Sequence, residues 1–291
     1  MTKKLKQSQE IAQKLNVLNQ PVITVYDLNV LIFKLFNGRT KRKDIKDFIN
    51  SKIRELEDQS IIIKLKYFPH KSVYCIFGKD TSNKYEIICC VDPFCYISHL
   101  CAMDYHGITD RNPESIIITT YDHNMWRSEA NKKMKKDLKD LYTPYIDNNL
   151  KKLEKIKITK INKKQVNQVR SASYGNYKNI KESNLRIATI GRTFLDMIKK
   201  PEMCGGIYHV IEVYKEYAEI YKKLIINEIN KSNKDIDKIR AGYILEKECD
   251  IKDSSIDEWK NLAQRGGSRK LNHSEEYSSN YSEEWCLSIN I

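Results

Sequence analysis

The stretch that most constrains the fold of this 291-residue chain runs from Arg186 to Ile207, RIATIGRTFLDMIKKPEMCGGI. Residues 186 to 190 have the length and apolar content of a short buried strand. Gly191 frees the backbone after it. Thr193 then offers a side-chain cap to a helix whose apolar positions Phe194, Leu195, Met197 and Ile198 face a core. Pro201 stops that helix, because proline lacks the N–H a helix needs and clashes with the preceding turn. The pair Gly205 and Gly206 turns the chain into a further helix at Ile207. A strand, a capped helix and a glycine turn in this order belong to a chain that mixes helices and strands.

The amino-terminal part has a different rhythm. A helix is expected from Thr2 to about Leu18, broken at Pro21. Thr24 can cap a second helix from Val25 to Phe36, which Asn37 and Gly38 end. Between Lys41 and Leu56, Ile45, Phe48, Ile49, Ile53 and Leu56 recur at the spacing of one helical face, and Arg42, Lys43, Lys46, Asn50, Lys52 and Arg54 fall mostly off it. Residues 61 to 68 and 72 to 77, separated by Pro69 and His70, read as a two-stranded hairpin with Lys64, Lys66 and Lys71 near its tip. Three helices and a basic hairpin predict a winged helix-turn-helix over residues 1–82. In that architecture the third helix enters the major groove and the wing lies on the backbone, so Arg39, Lys41, Arg42, Lys43, Lys46, Asn50, Lys64, Lys66 and Lys71 are the candidate DNA-binding residues. Such a module also serves elsewhere as a protein-docking unit, and the sequence leaves that alternative open.

Residues 83–291 read as a larger mixed α/β domain with a helical carboxy-terminal part, giving an α+β chain overall. Residues 85 to 91 are expected as a strand, 94 to 105 as a helix and 115 to 120 as an Ile-rich strand. Cys89, Cys90, Cys95, His99 and Cys101 crowd within 13 residues. Zinc ligands recur as C-x2-C or H-x3-H on turns, whereas adjacent cysteines on a strand point to opposite faces. Buried thiols acting as small apolar side chains are the better account, and no metal or cofactor is expected. His99 and His106 have no nucleophile or carboxylate at an interpretable spacing, and no phosphate-binding loop or nucleophile elbow is present, so the chain reads as a non-enzyme. Beyond Ile207, helices are expected over residues 207–225, 235–248 and 255–264. Trp285 near the end predicts a packed tail.

Charge adds a direction. The net charge is +13. Residues 1–80 hold 16 Lys/Arg against 8 Asp/Glu, and residues 131–164 hold 12 against 4. Two separate basic regions favour an anionic partner. In the second, Leu138, Leu141 and Tyr142 can hold one helical face, leaving Lys132, Lys133, Lys135, Lys136 and Lys139 as a possible second DNA-contacting face. No run of 18 apolar residues is present and the first ten residues lack the apolar core of a signal peptide, so a cytoplasmic protein without membrane contact is expected. In such a reducing compartment its eight cysteines would be thiols.

The order R-T-x-L-D followed by P-x-x-C-G-G at 192–206 resembles the carboxy-terminal domain of AbiEi-family antitoxins. DPFCYISHLCAMDYHGITDR (92–111), RGGSRKL (265–271) and YSEEWCLSIN (281–290) extend the resemblance to roughly residues 85–291. It implies a transcriptional autorepressor and antitoxin of a type IV toxin-antitoxin (abortive infection) system. It implies binding to the double-stranded operator of its own promoter and counteraction of a nucleotidyltransferase toxin that the antitoxin need not touch. Carried onto this chain, the antitoxin-domain motif is Arg192, Thr193, Asp196, Gly205 and Gly206. The alternative is an enzyme or RNA-binding neutraliser acting on the toxin or its nucleic-acid product.

Overall fold

The computed structural model describes residues 3–36, 45–69, 72–171, 174–264 and 269–291. In chain order the elements are α1 (Lys3–Val17), β1 (Val22–Thr24), α2 (Val25–Phe36), α3 (Ile45–Asp58), β2 (Ile62–Lys64), β3 (Val73–Ile76), α4 (Lys84–Val91), β4 (Tyr96–Ile97), α5 (His99–Tyr105) and β5 (Ile116–Tyr121). They continue as α6 (His123–Leu138), α7 (Tyr142–Asp147), β6 (Lys160–Ile161), β7 (Lys164–Ser171), β8 (Tyr177–Asn179), β9 (Arg186–Ala188), α8 (Ile190–Lys199) and α9 (Ile207–Asn230). The last are α10 (Asp235–Tyr243), which runs into a π-turn at Ile244–Glu248, α11 (Ser254–Lys260), β10 (Tyr281–Ser282) and β11 (Leu287–Ser288). The chain is α+β. Among the described residues no helix is long and apolar enough to cross a membrane.

Two compact units share the chain: one comprises Met1–Tyr96, Thr119–Tyr174 and Asn179–Arg186, the other Ile97–Ile118, Gly175–Lys178 and Ile187–Ile291. This division does not follow the expected boundary after residue 82. The reason is an apolar cluster in the first unit that joins Ile11 and Leu15 of α1, Phe33 and Phe36 of α2, and Ile49 and Leu56 of α3 to Trp126, Ala130, Met134 and Leu138 of α6. Those α6 residues recur every four positions and so form one stripe. The wide sheet has the strand order β6-β7-β5-β4-β9-β8, with Ile97 of β4 paired in parallel to Ile187 of β9.

In the first unit, Thr24 ends β1 and caps α2: the Asp27 N–H donates to Thr24 Oγ1 at 3.1 Å. Strands β1, β3 and β2 form an antiparallel sheet in that order, Val22 opposite Cys75 and Ile62 opposite Ile76. The three-residue β1 is absent from the sequence-based expectation.

Residues 85 to 91, expected as a strand, form helix α4 instead. Asn83 accepts hydrogen bonds from the N–H groups of Tyr85 and Glu86, which stabilises a helix start. A short apolar run has no period that separates strand from helix. The expected helix over 94 to 105 is shorter: β4 occupies its start, and His99, at φ 53°, opens α5.

In the second unit the cap of α8 is Thr189 and not Thr193. Thr189 Oγ1 accepts from the Arg192 N–H at 3.3 Å, while Thr193 sits inside the helix and donates to the Thr189 carbonyl at 3.0 Å. Gly191 likewise lies inside α8, and its role is close approach: a Cβ there would stand 2.3 Å from the Leu224 carbonyl oxygen of α9. Every residue of α8 from Gly191 to Ile198 is buried, as expected of a helix enclosed on all sides. Gly205 and Gly206 take φ values of 89° and 94°, so the expected turn into α9 is observed. The tail also packs. Trp285 is fully buried, its indole N–H donates to Glu246 Oε2 at 2.8 Å, and its ring lies where a Cβ on Gly242 would be.

Candidate nucleic-acid interface

A groove of about 1190 Å³ lies within the first unit. Its walls are the outer face of α3 (Asn50, Arg54, Glu57), the β2–β3 hairpin (Lys64, Lys66, Tyr67) and the irregular segment 151–157 (Lys151, Lys152, Lys155, Lys157). Seven basic side chains thus face two acidic ones, Glu57 and Glu154. Glu57 takes an ion pair from Lys64 at 2.7 Å, and Glu154 one from Lys151 at 2.7 Å. Arg54, Lys66, Lys152 and Lys157 are exposed. A concave wall of one sign concentrates field lines and attracts an anion.

Segment 151–157 has no repeating backbone pattern, yet it is pinned. The Tyr145 hydroxyl donates to the Lys151 carbonyl at 2.6 Å, Lys155 donates through Nζ to the Tyr121 carbonyl at 3.3 Å, and Leu150, Leu153 and Ile158 are buried. Partial burial lowers the Lys155 ammonium below the usual lysine range and raises the Tyr67 phenol above its own. A phosphate in the groove would relieve the first effect by supplying a counter-charge.

Of the residues expected to bind DNA, Asn50, Lys64 and Lys66 line the groove together. Lys46 is exposed on α3 but does not line it. Arg39, Lys41, Arg42, Lys43 and Lys71 lie outside the described residues. Lys52 departs from the expectation that it lies off the apolar stripe: it is 2% exposed and pairs at 2.7 Å with Glu55, which also accepts from the Ser8 hydroxyl at 2.8 Å. These partners hold the Glu55 carboxyl below its ordinary range against the opposing effect of burial. Sequence reasoning missed the 151–157 wall, for which the only signal was the count of lysines.

The five lysines of α6 and its end are not brought into the groove. Lys132 is paired with Glu129 at 2.7 Å and Lys133 with Asp137 at 2.8 Å, while Lys135, Lys136 and Lys139 are exposed. Two of the five charges are therefore locally compensated.

Of the motif residues, Arg192, Thr193 and Asp196 are buried in α8, while Gly205 and Gly206 are half-buried in the turn before α9. Arg192 Nε donates to Asp196 Oδ1 at 2.8 Å, with side chains 8% and 3% exposed. Asp196 Oδ2 is buried without a hydrogen-bond partner. Gly175 presses on the guanidinium so closely that a Cβ would fall 2.3 Å from it. Burial lowers the nearby His99 below the usual imidazole range although Asp196 opposes this, and His99 Nδ1 lies 2.8 Å from Ser98 Oγ. His106 Nε2 meets the Ala188 carbonyl at 2.8 Å. Both histidines are thus hydrogen-bonded within the fold. Among the described residues no group of three His, Cys, Asp or Glu side chains is arranged to hold a metal ion.

No family model matches the chain, and no curated protein does. Its fold is similar to that of the RV2827C protein from Mycobacterium tuberculosis, known from a crystal structure, with a TM-score of 0.51, 13% sequence identity, and coverage of 97% of this chain and 90% of that one.

Proposed function

We propose that the amino-terminal helices and hairpin form a winged helix-turn-helix that binds double-stranded DNA, and that the chain is a cytoplasmic transcriptional autorepressor and antitoxin of the AbiEi type. The observation that carries the DNA-binding reading is the groove in which α3, the hairpin and residues 151–157 present seven basic side chains. Phosphate contacts of this kind set affinity and register, while Asn50 and Arg54 on the exposed face of α3 are the side chains suited to base edges. The antitoxin part rests on the R-T-x-L-D and P-x-x-C-G-G resemblance, with the toxin a nucleotidyltransferase that the antitoxin need not touch.

The test is fluorescence anisotropy with a duplex from the promoter of its own gene, titrated at several salt concentrations. The triple variant Arg54→Ala/Lys66→Ala/Lys152→Ala should stay folded. Its log-log salt slope should flatten by about 0.9 for each phosphate that the variant no longer neutralises. An unchanged affinity and slope removes the groove from the DNA-binding reading. Preference for single-stranded RNA of the same sequence favours the alternative of an RNA-binding neutraliser.

A further inference from the structure

We infer that Thr109 is a nucleophile, activated by His209 and oriented through Glu212, that takes the acyl group of a small carboxylic ester. The three side chains come from distant parts of the second unit: Thr109 follows α5, while His209 and Glu212 lie one turn apart at the start of α9. Thr109 Oγ1 stands 2.8 Å from His209 Nε2, and His209 Nδ1 stands 3.6 Å from Glu212 Oε2. A hydroxyl, an imidazole and a carboxylate in that order are the nucleophile, base and orienting group of acyl-transfer sites on unrelated folds. Thr109 and His209 are 100 residues apart, so no spacing in the sequence reveals the pair.

The surrounding bonds set the direction of the proton. The Arg111 N–H donates to Thr109 Oγ1 at 3.1 Å, so a backbone donor occupies one lone pair of that oxygen and the hydroxyl hydrogen is left to point at His209 Nε2. The Glu212 carboxylate favours the tautomer that carries its hydrogen on Nδ1, which leaves Nε2 as the acceptor. His209 is 8% exposed. That burial, and then the Arg111 charge, hold the imidazole below its ordinary range against the pull of Glu212, which keeps it a neutral base. Arg111 also supplies a cation for the charge that develops in acyl transfer. Its Nη1 donates to the Gly205 carbonyl at 2.8 Å, and a Cβ on Gly205 would stand 2.9 Å from His209 Cδ2 and 3.0 Å from Arg111 Nη1. Imidazole and guanidinium thus flank one glycine. Thr109 is half-buried and Arg111 exposed, so a small ester reaches the hydroxyl from solvent.

In the first step Thr109 Oγ1 attacks the ester carbonyl carbon as its proton passes to His209 Nε2. The tetrahedral intermediate carries its negative charge beside Arg111. It collapses with loss of the alkoxide, which takes the proton from His209 and leaves as an alcohol, and Thr109 is acylated. Water then attacks the acyl carbon while giving a proton to His209. The bond from that carbon to Thr109 Oγ1 breaks, Oγ1 regains the proton, and a carboxylic acid departs. Ester plus water become alcohol plus acid, with nothing oxidised or reduced.

The probe is p-nitrophenyl acetate, mixed with the full-length protein. Nitrophenolate release, intact mass and peptide maps of acid-quenched samples should show an acetyl group on Thr109 as a hydroxylamine-labile ester, whereas acetyl groups on lysines are amides and resist hydroxylamine. Thr109→Val should remove that ester, and Thr109→Ser should retain it. His209→Gln should slow acylation of Thr109 by about 10²–10⁴-fold, the usual share of a general base. Should that variant fold poorly, Glu212 gives the second arm: its side chain is 74% exposed, so Glu212→Gln should melt like the parent yet acylate more slowly. In the parent the acylation rate should rise with pH through a midpoint below about 6.5, as the imidazole loses its proton, a profile that a purely structural hydrogen bond does not produce. Absence of an ester at Thr109 overturns the inference. So does an ester that forms as fast in a folded His209→Gln variant, or a rate without that midpoint.

Discussion

Replacing Asp196 by alanine removes one end of an ion pair whose partners are only 8% and 3% exposed. The Arg192 guanidinium, packed so close to Gly175 that a Cβ there would fall 2.3 Å from it, then stays buried in α8 without that counter-charge. Breaking a buried pair on one side costs about 3–5 kcal/mol, against roughly 0.2–1 kcal/mol for an exposed pair. At about 2–4 °C of midpoint per kcal/mol for a domain of roughly 150–250 residues, Asp196→Ala should melt about 6–20 °C below the parent. Urea titrations and circular-dichroism melts measure this, and the urea slope should be unchanged. The double variant Arg192→Met/Asp196→Leu leaves neither charge of the pair behind and should be destabilised less than the single change, because much of the penalty comes from burying one charge after its opposite is removed. A destabilisation below about 1 kcal/mol for Asp196→Ala refutes the buried-pair reasoning. Should that variant also bind operator yet fail to rescue cells from the toxin, this face is a functional surface.

Three further outcomes are expected. Changing Lys135, Lys136 and Lys139 of the α6 end to alanine should leave stability within about 0.5 kcal/mol and flatten the salt dependence of DNA binding; an unchanged slope places α6 outside the interface. Gly191→Ala should destabilise by about 1–3 kcal/mol, the range for overpacking, since its Cβ meets backbone at 2.3 Å, and a parent-like melt refutes the tight α8–α9 approach. Burial keeps His99 and His106 neutral below the ordinary imidazole range, so between their folded pKa and about 6.5 the unfolded chain binds more protons. Their contribution is therefore complete above about pH 6.5 and is lost as pH falls below it, so the urea midpoint should drop on acidification; a midpoint that rises on acidification contradicts this.

Much of the fold was legible because its signals are local. The start of α2, the β2–β3 hairpin, the turn through Pro201 to Gly206 and the burial of Trp285 follow from caps, breakers and residue size. Helix α4 was misread because its apolar run has no decisive period, although Asn83 followed three residues later by Glu86 is a helix-start signature. Gly191 was assigned to backbone freedom when a neighbouring helix sets its need, which no local pattern reveals. The candidate site was half legible. Asn50, Lys64 and Lys66 carry periodic or hairpin signals, whereas Lys151 to Lys157 join them through hydrogen bonds from Tyr145 and to Tyr121 that only the tertiary structure creates.

The interleaving of the two units has a consequence in time. The first unit has its last segment once Arg186 is made, while the second takes its first segment from residues 97 to 118 and is closed by Trp285, Leu287 and Ile289. At synthesis rates of about 5–20 residues per second, the first unit is complete on the ribosome roughly 5–20 s before the second can bury its core. During that interval the segment 97–118, including the apolar Met103 and Ile108, waits without the partners it will pack against. A nascent chain therefore presents the basic groove before it presents a finished second unit, and premature termination between residues 187 and 285 would release a chain that holds the groove but not the closed carboxy-terminal core.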